Sequence, residues 1–108
     1  DALLPASRAR IQAWLDGCLT GDKRLRAGVP ADWLAGDKTG TGPRGSTCDI
    51  AILRPPRRAP ILVTAYLTGT QASMEARDAA LASVGAVVNR ASPPQSWSPA
   101  ATWPSRPQ

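Results

Sequence analysis

The sequence predicts an α+β fold, an antiparallel sheet of three strands flanked by helices. Three observations carry that expectation. Apolar residues recur at helical spacing near both ends of the chain, at Ile11, Trp14, Leu15 and Cys18 and again at Ala80, Leu81, Val84, Val87 and Val88. Between them lie extended patterns over 33–42, 46–53 and 61–67. Short connections rich in proline and glycine join these patterns, which suits strands that double back on their neighbours.

Taken in order, the first helix has start signals in Pro5 and Ser7, with Ser7 the expected N-cap, and stop positions at Gly17 and Gly21. Arg8, Arg10, Gln12 and Asp16 take its polar side, so it packs and does no chemistry. Residues 20–32 read as a connection broken by Gly21, Gly28 and Pro30. Pro43-Arg44-Gly45 makes a turn, and Pro55-Pro56-Arg57-Arg58 makes another that cannot continue a strand ladder. The run from Ile61 to Leu67 is almost continuously apolar, the pattern of a strand covered on both faces. Ser73 and Glu75 open the last helix, in which Arg77 and Asp78 read as structural or solvated. From Ala91 the composition changes to proline, serine and two tryptophans without an acid. Proline at that density blocks helix and strand alike. Residues 91–108 are therefore expected to be a disordered extension, or sequence read out of frame or past a damaged stop. The spacing Pro104-x-x-Pro107 also fits a polyproline ligand.

The 108 residues suffice for one small domain, and 13 basic against 8 acidic side chains give a formal charge of +5. The basic residues are scattered, with no aromatic-interleaved stripe, so no nucleic-acid partner is expected. No apolar run has the ~20 residues of a membrane span. The chain has no histidine and only two cysteines, Cys18 and Cys48. Both are read as free and packed like small apolar residues, and neither a metal nor a cofactor is expected.

One stretch is not explained by packing. Residues 33–42 read Trp-Leu-Ala-Gly-Asp-Lys-Thr-Gly-Thr-Gly, placing Lys38, Thr39 and Thr41 among Gly36, Gly40 and Gly42. Glycines let another group approach the backbone, the lysine brings positive charge and the threonines bring short hydroxyls. That mixture suits a strand that holds an anionic ligand.

Lys38-Thr39-Gly40 resembles the KTG element of class A β-lactamases and their penicillin-binding relatives. The likeness extends through 26–33 (Arg-Ala-Gly-Val-Pro-Ala-Asp-Trp), 45–51 (Gly-Ser-Thr-Cys-Asp-Ile-Ala), Arg58-Ala59-Pro60-Ile61 and Tyr66-Leu67-Thr68-Gly69. It covers residues 2–88, and makes 1–90 the C-terminal part of a serine β-lactamase/penicillin-binding-protein fold, with 91–108 as a tail.

The resemblance implies roles. Lys38 would supply positive potential, Thr39 and Thr41 would give hydroxyls to a substrate carboxylate beside Gly40, and the Thr41 N–H would be an oxyanion donor. Many members carry a carboxylate-holding arginine where Thr47 stands here. Others place it just before the Arg-Ala-Gly segment, where Arg24 stands, so the resemblance makes Arg24 the expected carboxylate-holding arginine of this sequence. The partners implied are a β-lactam antibiotic and the missing N-terminal part of the same fold. The location implied is periplasmic or secreted.

Other parts of that chemistry are missing from these residues. No serine is followed three positions later by lysine, there is no Ser-Asp-Asn, and the sole glutamate, Glu75, does not match the water-activating position. Three readings follow: the C-terminal portion of a β-lactamase that is inactive alone, a D-alanyl-D-alanine peptidase of the same fold, or a non-catalytic remnant. The Arg-Ala-Gly, Trp-x-x-Gly-Asp and Arg-Ala-Pro flanks favour the first.

Overall fold

A computed structural model describes residues 2–93. The expectations for the tail from residue 94 onward, its disorder and its polyproline spacing, lie outside the described residues. The elements are helix α1 (Pro5–Asp16), a 3₁₀ turn (Leu25–Gly28), strands β1 (Leu34–Thr41), β2 (Thr47–Arg54) and β3 (Ile61–Leu67), and helix α2 (Met74–Ala91). The strands form one antiparallel sheet in the order β1-β2-β3. This is the expected α+β architecture.

Strand alternation sorts the sheet into two faces. Ala35, Ala51, Leu53, Ile61, Val63 and Ala65 point to the side that α2 and the 3₁₀ turn cover. There Leu25, Ala51, Leu53, Ala65 and Leu81 form the buried core. The β1–β2 loop reverses through Arg44 (φ 57°) and Gly45 (φ 71°), conformations that a glycine adopts without the steric cost of a side chain. Ser73 caps α2, its hydroxyl accepting the Ala76 N–H at 3.1 Å.

The 3₁₀ turn and α2 meet backbone to backbone. A methyl on Gly28 would overlap the Ala82 carbonyl, and one on Gly85 would overlap the Leu25 carbonyl. This contact brings the turn, and the arginines flanking Leu25, against the sheet.

Three expectations change. Helix α1 begins at Pro5, with Leu4 rather than Ser7 at the N-cap and no side-chain cap bond. Proline fits the first helical position because its missing N–H is not needed there. The apolar stripe of α1 is shorter than its spacing suggested. Cys18 lies past the Gly17 cap, Trp14 is 68 % exposed, and the helix buries no residue. Strand β3 is covered on one face only among the described residues, with Leu62 75 % and Tyr66 73 % exposed on the other. Tyr66 and Leu67 line an open hollow of about 400 Å³ at that end of the sheet, together with Cys48 and Gly40.

Candidate functional site

The site is built on the outer edge of β1, which pairs only with β2 among the described residues. The Gly42 N–H bonds to the Ser46 carbonyl at 2.9 Å. Hydrogen-bonded and non-bonded pairs alternate along an antiparallel ladder. The Gly40–Cys48 pair is therefore bonded, and Thr39–Asp49 and Thr41–Thr47 are not. The N–H and C=O groups of Thr39 and Thr41 consequently face away from β2, at the free edge.

Lys38 belongs to the other face by alternation, yet its ammonium reaches the same edge. The side chain is exposed, and Nζ donates to the Thr39 carbonyl at 2.8 Å. The charge thus curls over the strand to stand beside the free backbone groups. The hydroxyls face the covered side of the sheet. Thr39 Oγ1 shares a 2.6 Å hydrogen bond with Thr20 Oγ1, and Thr20 in turn lies 3.4 Å from Cys18 Sγ. Cys18 and Cys48 are both free and half-buried.

Thr41 is backed by Arg24. Nη2 donates to Thr41 Oγ1 at 3.0 Å and reaches Met74 Sδ at 3.7 Å. Nη1 donates to the carbonyls of Gly40 and Cys48, at 3.0 and 2.8 Å, and Nε donates to Asp78 Oδ1 at 2.8 Å. A guanidinium has five N–H groups, so these contacts engage its full donor capacity. Only 6 % of Arg24 is exposed. The guanidinium lies directly behind the Thr41 hydroxyl and is tied to the structure from every side.

Beneath the hydroxyls lie two wholly buried carboxylates, Asp37 on β1 and Asp49 on β2. Asp37 Oδ1 accepts from Arg26 Nη2, and Asp49 Oδ2 accepts the Leu25 N–H at 3.1 Å. Burial, followed by the hydrogen-bonded Asp37 carboxyl and its charge, pushes Asp49 up to about 7. Thr47, the residue at the alternative arginine position, is buried and accepts from Arg77 Nη1 at 3.0 Å.

Of the residues singled out in the sequence, Lys38, Thr39, Gly40, Thr41 and Arg24 converge on one end of β1. Asp37, Asp49, Asp78 and Thr20 were not singled out as part of the site. A signal existed for two of them. Asp37 and Asp49 stand in strand interiors, where aspartate is unfavourable, in phase with the apolar residues Ala35, Ala51 and Leu53. Among the described residues no cluster of metal-ligating side chains occurs, and no helix is long and apolar enough to cross a membrane.

Comparison with known proteins bears on this arrangement. A family model described as "Beta-lactamase enzyme family" matches residues 1–91. A β-lactamase of Citrobacter koseri is 43 % identical over 88 residues, which are 82 % of this chain and 30 % of that protein. Beta-lactamase 1 of Streptomyces cacaoi is 44 % identical over 87 residues, 81 % of this chain and 27 % of that protein. The solved structure of an ancestral (GNCA) class A β-lactamase superposes with a TM-score of 0.82 at 60 % identity, covering 84 % of this chain and 35 % of that one. The chain thus spans about 30 % of the length of the curated relatives it matches. On the family match, the sequence identity and the superposition together, this chain belongs to the class A β-lactamase family.

Proposed function

We propose that these residues form one wall of the cleft of a β-lactam-hydrolysing enzyme. The carrying observation is the free edge of β1, where the Thr41 N–H is left unpaired by β2 and the Lys38 ammonium bonds to the Thr39 carbonyl. The N–H supports a role as oxyanion donor, because an amide already paired in the ladder could not serve a ligand. The ammonium supports attraction of a substrate carboxylate, with the Thr39 and Thr41 hydroxyls as its hydrogen-bond donors and Gly40 leaving room for its approach.

Arg24 takes a different part in this reading from a free carboxylate clamp. With all its donors engaged, it acts through Thr41, turning that hydroxyl toward the ligand and adding positive potential behind it. The acyl-serine step, its activating groups and the deacylating water belong to the part of the fold that supplies the Ser-x-x-Lys and Ser-Asp-Asn elements. The family points to a periplasmic or secreted setting and to antibiotic resistance as the physiological role.

The test is a chimaera. Residues 1–91 replace the corresponding segment of the Citrobacter koseri enzyme, and nitrocefin turnover is measured. Turnover is expected in the chimaera, and Lys38→Ala should reduce it by about 100-fold, the scale of losing one preorganised transition-state contact. A chimaera that folds and leaves nitrocefin intact would refute the reading.

A further inference from the structure

The buried aspartate pair does something the proposed chemistry does not use. Asp37 and Asp49 are both 0 % exposed and lie diagonally across the β1–β2 ladder, Asp37 opposite Ala51 and Asp49 opposite Thr39. Their side chains are therefore diagonal neighbours on one face of the sheet. One oxygen of each has a protein donor: Arg26 for Asp37 Oδ1, and the Leu25 N–H for Asp49 Oδ2. The other two, Asp37 Oδ2 and Asp49 Oδ1, are buried without any donor. The Gly21 backbone packs so closely on Asp37 that a methyl there would overlap its carboxyl.

Two ionised carboxylates accept only, so two such oxygens cannot bond to each other unless a proton lies between them. Like charges in contact at a buried site are costly, and carboxyl pairs relieve the repulsion by holding one proton jointly. The charges packed around the pair give the same answer. From the 3₁₀ turn and its flank come Arg24 and Arg26. Arg24 is matched by Asp78 of α2, while Arg26 faces Asp37, with the exposed Asp22 at 3.5 Å from its other nitrogen. From α2, Arg77 is bonded to Thr47. From β3, the residue opposite Asp49 is the uncharged Ala65. On the α1 side, Asp16 pairs with Arg54. One guanidinium is therefore left for two buried carboxylates, and one proton makes the group neutral.

We propose that Asp37 and Asp49 share a single proton between Asp37 Oδ2 and Asp49 Oδ1, and that it fastens the β1 strand carrying Lys38 to the 3₁₀ turn. The proton makes the fastening pH-dependent. An unfolded Asp49 ionises near 3.8, whereas the folded one holds its proton to about 7. The contribution is complete below the unfolded value and is lost as pH rises through the folded one. This inference concerns the fold and stands whether or not the β-lactam reading does.

The test is a carboxyl carbon NMR titration of the folded chimaera that carries residues 1–91, labelled at aspartate, with Asp49→Asn as comparison. One carboxyl should titrate more than two pH units above the others, and Asp49→Asn should remove that transition. The carboxamide can donate to Asp37 Oδ2 at every pH, so the variant's urea midpoint should stay flat from pH 5 to 8 while that of the parent falls. If Asp49→Asn does not fold, the parent titration decides alone. Aspartates that all titrate near the ordinary value overturn the proposal, as does an unchanged pH slope in a folded Asp49→Asn variant.

Discussion

Asp78 decides whether Arg24 can stay where it is. The pair is almost wholly buried, so removing the acid strands a guanidinium away from water. Breaking a buried pair from one side costs about 3–5 kcal/mol. Asp78→Ala is therefore expected to consume most of a marginal stability, read as a large drop in the urea midpoint. The exposed pair of Asp16 and Arg54 behaves differently. Burial works to raise the Asp16 pKa, but hydrogen bonds from Arg54 and Gln12 outweigh it and hold the carboxyl below 3.8. Stability from a depressed carboxylate is present above its unfolded pKa and is lost as pH falls through its folded value. Asp16 is 42 % exposed on its side chain. Solvent screening limits the pair to under about 1 kcal/mol. Asp16→Asn should thus barely move the midpoint at pH 7, and should flatten its decline in acid.

At the scale of elements, helix α2 is fixed by recognisable signals and α1 is not. Replacing the Ser73 cap with alanine leaves the Ala76 N–H without its acceptor and should cost about 1 kcal/mol, seen in the same unfolding curves. The strands were legible because their turns are marked by Pro43-Arg44-Gly45 and Pro55-Pro56, and β3 runs over the residues its apolar pattern indicated. The start of α1 was misplaced because a capping oxygen at Ser7 looked stronger than a bare Leu4 followed by proline. The site was legible in part. Lysine, threonine and glycine in one strand announce a ligand, but alternation alone puts Lys38 on the wrong face. Only the side chain's reach over the strand brings it to the edge. Asp49 and Asp37 escaped notice because a single sequence does not show that two strand-interior aspartates are diagonal neighbours.

For the whole molecule, the consequence of an open outer face is association. Among the described residues, Leu62, Tyr66, Ile50 and Leu34 of the sheet and Trp14 of α1 are exposed together with an unpaired β3 edge. Apolar surface of this kind gains about 25 cal/mol for each Å² it buries, and an unpaired strand edge offers a template for another chain. The isolated chain is expected to be poorly stable or to self-associate, and sedimentation velocity should show species heavier than a monomer at micromolar concentration. Leu62→Lys combined with Tyr66→Lys should shift that distribution toward monomer. A sharp, reversible monomeric melt of the unmodified chain would contradict the expectation.

The joint between Gly28 and Gly85 carries a further implication for how this sequence can vary. Most tight contacts have slack on one side, so an enlargement here can be rescued by a reduction there. At this joint both members already have no side chain at all, and the atoms they would strike are main-chain carbonyls that no substitution can trim. Neither position has a side chain to shrink in compensation, and because the two glycines touch, the displacement forced by one substitution changes the cost of the other, so the two costs should be coupled rather than additive.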